Sequence, residues 1–162
     1  MEEFLSYIIK LRHKMKQNWN RHVSITDLIS DRWETAKFYG FGEGTSCYNN
    51  CLILGDVKVG KNTWIGPNTI LDGKGGLKIG DFCAISAGVQ IYSHINVNWA
   101  TSLGQLPEEY APVTIGNGVF IGPNSIIQMG VEIGDKAIIG AMSFVNKSIP
   151  KNGKWYGTTR KA

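Results

Sequence analysis

The sequence lacks any long apolar run: no stretch approaches the roughly 20 residues that a bilayer-spanning helix needs. Its start, MEEFLSYIIKLRHK, has early acids, a short apolar stretch and no small-residue cleavage site, so it does not read as a secretory signal. Only 3 cysteines occur in 162 residues, an odd set without metal-ligand spacing. That argues against a disulfide framework and for reduced, structural thiols in a cytoplasm. Histidine is equally scarce, at 3, and His13 and His22 fall in an N-terminal stretch that reads as helical. A zinc site of three histidines therefore has no source in the rest of the chain, and no metal is expected. Charge of either sign is modest as well. A formal net charge of +4 is too mild to argue for a nucleic-acid partner.

Glycine is abundant, at 20, and much of it is periodic. From Val113 to Val145 a branched aliphatic residue returns every sixth position: Ile115, Ile121, Ile127, Ile133, Ile139, Val145. Four positions after each of the first five stands a small or β-branched residue: Val119, Ser125, Val131, Ala137, Ser143. Glycine follows the aliphatic residue at Gly116, Gly122, Gly134 and Gly140. A helix repeats near 3.6 and a strand at 2, so a period of six fits neither. It is the signature of a β-helix in which each hexad is one flat face of a coil and stacked coils share one core. Glycine, able to take φ > 0, is expected at the corners. The same register holds at Ile53, Val59, Ile65 and Leu71, shifts by two at Gly73-Lys74-Gly75-Gly76, and resumes at Ile79, Ile85 and Ile91. Three faces per coil would give about four coils. The chain is one domain's worth of residues.

Around this solenoid the expected organisation is a helical segment over residues 1–39, a coil domain over 40–150 with an extruded loop at 94–112, and a basic tail over 151–162. Phe4, Leu5, Ile8, Ile9, Leu11, Met15 and Trp19 are spaced for an amphipathic helix, with Lys10, Arg12, Lys14 and Lys16 on the remaining positions. Its apolar side would pack on the solenoid or a sister subunit, or else attach to an anionic membrane surface. Thr26 or Asp27 would cap a second helix running through Thr35. The tetrapeptide IGPN occurs twice, ending at Asn68 and Asn124, where proline fixes φ at a corner. The Gly-rich DGKGG after Leu71 lacks the strand–helix context of a phosphate loop and reads as a bulge between coils.

His94 is the only histidine within the solenoid, and it stands where the regular coil gives way to the long loop. Loops held on a rigid scaffold commonly carry function. Trp99 and Tyr110 in that loop are either its anchors or the walls of a pocket. The terminal Lys147, Lys151, Lys154, Arg160 and Lys161, with no acid among them, are either a solvated tail or a phosphate-binding rim.

Val113 to Pro150, with IYSH and its following loop, resembles the hexapeptide-repeat acyltransferases. The stretches RWETAKFYGFGEGTSCYNN and NVNWATSLGQLPEEYAPVTIGN are similar to O-acetyltransferases of bacterial surface polysaccharides. The resemblance implies a mainly β protein built on a left-handed parallel β-helix. It also implies a homotrimer, with acetyl-CoA bound between subunits as co-substrate and a carbohydrate as acceptor. His94 matches the family's catalytic base. Asn68 and Asp72 fall near acceptor-contacting positions, with Trp99 and Tyr110 as further acceptor residues. Phe120 matches an aromatic beside the CoA cleft. Gly140 and Ala141 match backbone against the pantetheine arm, Gly122 is also assigned to the cofactor, and Asn146 and Lys147 match the pair near the end of that arm. Arg160 and Lys161 resemble residues that meet the nucleotide phosphates. The aspartate that close relatives place after the histidine is Ile95 here, so the orienting partner must be found elsewhere: Glu108, Glu109 or a backbone carbonyl. The implied reaction is O-acetylation of a sugar in the cytoplasm, in contact with the inner face of the membrane if the first helix binds there. The alternatives are N-acetylation of a nucleotide-linked amino sugar and a non-catalytic solenoid.

Overall fold

The computed structural model describes residues 1–161, with the side chains of residues 159–161 outside that description. Three helices come first: α1 (Glu2–Trp19), α2 (Ile25–Ile29) and α3 (Arg32–Phe38). The single second helix expected through Thr35 is in fact two. Ser24 caps α2 by accepting from the Asp27 N–H, and Asp31 opens α3 with a capping box to Glu34. The extended backbone of Ser30 and Asp31 separates them, because a capping residue cannot itself be helical. Within α1 only Ile8 is buried, and Phe4, Leu5, Tyr7 and Ile9 stay half exposed. Within the chain the main neighbour of α1 is α2. Among the described residues no helix is long and apolar enough to cross a membrane.

The rest is a parallel β-solenoid with three flat faces. Its first face stacks Ser46–Cys47, Trp64–Ile65, Ala84–Ile85, Phe120–Ile121, Ile138–Ile139 and Lys154–Tyr156 in parallel register. The second face stacks residues 52–53 and 70–71 with Gln90–Ile91, Ile126–Ile127 and Phe144–Val145. The third stacks residues 57–59 and 77–79 with Val113–Ile115 and Glu132–Ile133, and ends in a bridge to Ile149. The hexad aliphatics from Ile65 to Val145 are at most 2% exposed. The small partners Thr63, Thr69, Ser125 and Ser143 are buried too, and their hydroxyls have a task. Thr63 donates to the Gly80 carbonyl at 2.9 Å and Thr69 to Gly66 at 2.7 Å, while Ser125 and Ser143 both donate to Gly140. A buried carbonyl left unpaired would cost about 1–3 kcal/mol.

The first face has six rungs rather than the four expected. The hexad count omits the end rungs of this face, where other residues fill the interior: Cys47 at the start and Trp155 at the close, the latter 1% exposed. The expected basic tail is therefore part of the fold. Lys154–Tyr156 pairs with Ile138–Ile139 and turns back as an antiparallel hairpin with Thr159–Lys161. Trp155 plugs the open end of the core, and its indole N–H donates to the Gly157 carbonyl at 3.0 Å. Trp155→Ala should cost about 3–5 kcal/mol, read from urea unfolding. A loss under about 1 kcal/mol would show the plug to be dispensable.

The role expected of the hexad glycines also needs correction. Gly116, Gly122, Gly134 and Gly140 do not have positive φ. Left-handed backbone falls two residues later, at Gly118, Asn124, Lys136 and Met142. What Gly122 supplies is close approach, since a Cβ there would lie 2.5 Å from the Ala141 nitrogen of the next coil. The two-residue phase shift is a bulge as expected, but one inside a continuous strand. In Ile70–Ile79, residues 74–76 span the corner that Asp56 alone spans in Leu52–Val59.

Candidate active site

The edge between the second and third faces carries, coil by coil, Asp72, the excursion from His94, Gln128 and Asn146 with Lys147. The excursion is anchored where it leaves the wall. His94–Ile95 pairs antiparallel with Glu109–Tyr110, His94 opposite Tyr110 and Ile95 opposite Glu109. Between them lies α4 (Val97–Thr101). The loop is thus a closed ribbon with a fixed neck, and His94 is at the neck.

The orienting partner missing at Ile95 is Asp72. Its carboxylate accepts from His94 Nδ1 in a short hydrogen bond, from the Ser93 N–H at 3.1 Å and from the Lys74 N–H at 3.0 Å. Neither glutamate serves. Glu108 accepts the Tyr110 hydroxyl at 2.6 Å, and Glu109 accepts from Asn98 Nδ2 at 2.5 Å. Burial drives the Asp72 carboxyl upward, but the hydrogen bonds from Lys74, His94 and Ser93 outweigh it and hold the pKa below the ordinary carboxylate value. Asp72 is 0% exposed, so it stands behind the histidine and not on the surface an acceptor would touch, a correction to its expected place. With Nδ1–H donated to Asp72, Nε2 keeps its lone pair. The glycine insertion builds this geometry. Gly75 N–H donates to Ser93 Oγ at 2.8 Å, and a Cβ on Gly75 would lie 2.3 Å from the Ser93 carbonyl.

Tyr110 lies beside His94, their rings nearly parallel with centroids 6.0 Å apart. Trp99 is in α4, half exposed, against Gly104. A groove that His94 lines is shared with Tyr92, Ile95, Ile126, Gln128, Met129 and Phe144. Of these only Ile95 was singled out from sequence, as the departure after His94. Ile126 and Phe144 occupy the outward hexad position, which any residue can fill, so periodicity gives no signal for them.

The remaining expected site residues fall on a different edge. Asn68, Gly122, Gly140 and Ala141 lie between the first and second faces, with Phe120 on the first face two residues before Gly122. Asn68 has φ 58° and accepts from Asn50 Nδ2 at 2.8 Å. Asn146 and Lys147 share the edge of His94. The side chains of Arg160 and Lys161 lie outside the described residues. One chain therefore divides the expected site between two edges of a prism.

Two hexapeptide families match the chain: "Bacterial transferase hexapeptide (six repeats)" over residues 112–147 and "Hexapeptide repeat of succinyl-transferase" over residues 56–93. The chain is similar to galactoside O-acetyltransferase of Escherichia coli K12, 35% identical over 106 residues that cover 64% of this chain and 42% of that protein. It is similar to the putative colanic acid biosynthesis acetyltransferase WcaF of the same strain, 27% identical over 118 residues, covering 62% and 65%. The chain spans about half the length of the curated relatives it matches. Among solved structures, AntD, an N-acyltransferase from Bacillus cereus in complex with dTDP and 3-hydroxybutyryl-CoA, superposes with a TM-score of 0.68 at 27% identity, over 75% of this chain and 69% of that one. A hexapeptide-repeat acetyltransferase from Vibrio cholerae complexed with acetyl-CoA gives a TM-score of 0.70 at 22% identity, over 96% and 85%, a likeness of fold.

Proposed function

We propose that this chain, a hexapeptide-repeat protein of the bacterial transferase type, moves an acetyl group from coenzyme A to a sugar hydroxyl, with His94 as general base. The observation that carries this is the Asp72–His94 pair at the neck of the excursion. The carboxylate fixes the tautomer, and Nε2 takes the proton of the acceptor hydroxyl as that oxygen attacks the thioester carbonyl. A C–O bond forms, the C–S bond breaks, and the imidazolium returns its proton to the departing thiolate. The likenesses to galactoside O-acetyltransferase and WcaF favour a hydroxyl acceptor. A second reading, acylation of an amino group on a nucleotide-linked sugar, is favoured by the likeness to AntD, described with dTDP and an acyl-CoA. It uses the same base and cofactor.

We further propose that the site is completed by a second copy. The cofactor residues assigned to Gly122, Gly140 and Ala141 sit on one edge and His94 on another, so they join in one cleft only when a neighbour presents the first edge to the second. A closed homotrimer satisfies this for all three copies. The test mixes two variants, His94→Ala on one edge and Ala141→Trp on the other. Each alone should be inactive in CoA release from acetyl-CoA with a sugar panel. Co-assembled in equal amounts they should recover about a quarter of wild-type activity, because about one interface in four pairs two intact edges. No recovery from a trimeric mixture would place the whole site within one chain.

A further inference from the structure

Lys74 has no part in that mechanism, yet its Nζ lies 3.5 Å from His94 Nε2, the nitrogen that would receive the acceptor proton. Its position is built into the backbone. The Lys74 N–H is held by Asp72, the next N–H by Ser93 Oγ, and a Cβ on Gly73 would lie 2.3 Å from the Asp56 carbonyl. The insertion that aims His94 therefore carries one functional side chain of its own. Among the described residues the ion pairs within 4.0 Å are Lys58–Asp56 and His94–Asp72, so no carboxylate pairs with Lys74. The acids of this neck are already engaged: Asp72 by His94 and two backbone N–H groups, Glu108 by Tyr110, Glu109 by Asn98.

We infer that Lys74 selects acceptors carrying an oxyanion, a carboxylate or a phosphate ester, close to the hydroxyl that is acylated. The inference rests on the acyl-transfer reading. A reacting hydroxyl must come to about 2.8 Å from Nε2. Groups on the neighbouring carbons then fall within reach of the Lys74 ammonium, a compact cation with three donors. The transition state strengthens the requirement. As Nε2 takes the proton an imidazolium forms beside the ammonium, and two like charges at that separation repel. An oxyanion on the acceptor offsets that repulsion, whereas a neutral sugar leaves it in place.

The test compares methyl glucoside, methyl glucuronide and glucose 6-phosphate, with the matching galactose series, in CoA release from acetyl-CoA. At least one anionic member should exceed its neutral counterpart in kcat/KM by about tenfold, the order of one charge-assisted hydrogen bond. Preference for the uronide identifies a carboxylate, and preference for the phosphate ester identifies a phosphate. K74Q should bring the anionic acceptor to the level of the neutral one, and K74R should restore part of the difference. A neutral sugar used as well as the anionic ones, or an equal loss on both in K74Q, overturns the inference. If no sugar is acylated, the acyl-transfer reading fails on these acceptors. Binding of the same pairs, followed by the imidazole NMR signals of His94, then decides separately. Tighter binding of the anionic member that K74Q abolishes sustains the inference, and equal binding ends it.

Discussion

Replacing His94 with alanine should lower turnover by on the order of 10²–10⁴, the usual contribution of a general base, while acetyl-CoA binding and assembly persist. Persistence of the fold follows from the placement of His94. It stands at the neck of an excursion and not among the hexad aliphatics, and Asp72 retains the Ser93 and Lys74 N–H groups when the imidazole is gone. His94→Asn should do no better, since an amide cannot take up a proton near neutral pH. The measurement is kcat with a saturating acceptor alongside acetyl-CoA affinity by calorimetry. If His94→Ala keeps more than about a tenth of wild-type turnover, proton transfer to this residue is not what limits the reaction. An equal collapse of CoA affinity would instead make His94 a binding residue.

The second large effect is expected at Asp72. Asp72→Asn keeps the shape of the side chain but offers His94 a neutral partner that can present its amide N–H. The imidazole can then turn its lone pair toward Asn and leave Nε2 protonated. Turnover should fall on the order of 10²–10⁴ with little change in CoA affinity. A structural role alone would lower stability and affinity together and leave kcat of the folded fraction intact. Stability supplies a second, independent reading. The Asp72 carboxyl is held below its ordinary pKa, so its charged form is favoured by the folded state. That contribution is fully present above the unfolded-state value near about 3.9 and is lost as pH falls through the lower folded value. The stability gap between wild type and Asp72→Asn in urea should therefore close as pH falls below about 4. A gap that persists or widens below about pH 4 would mean the carboxyl is buried uncharged, and the dyad would be misassigned.

The sequence alone determined the solenoid, because its core repeats. Each hexad must present one aliphatic and one small residue inward, and this constraint recurs through Ile65, Ile85, Ile121 and Ile139 whatever faces outward. It also singled out His94, through the break in the repeat that follows Ile91. The end rungs of the first face were beyond it, because Cys47 and Trp155 stand at the inward position in place of the branched aliphatic residue that carries the pattern. So was the true duty of the hexad glycines, since a sequence does not show that the next coil's backbone will lie where a Cβ would be. The partner of His94 was decided by tertiary structure alone. Asp72 precedes it by 22 residues, about one coil, and only stacking of consecutive coils in register sets the two at the same corner. The same stacking lifts the glycine insertion from a spacer to the element that aims the imidazole and places Lys74 beside it. It also sets Gly122, Gly140 and Ala141 on a different edge from His94, because residues six apart lie on successive faces of the prism.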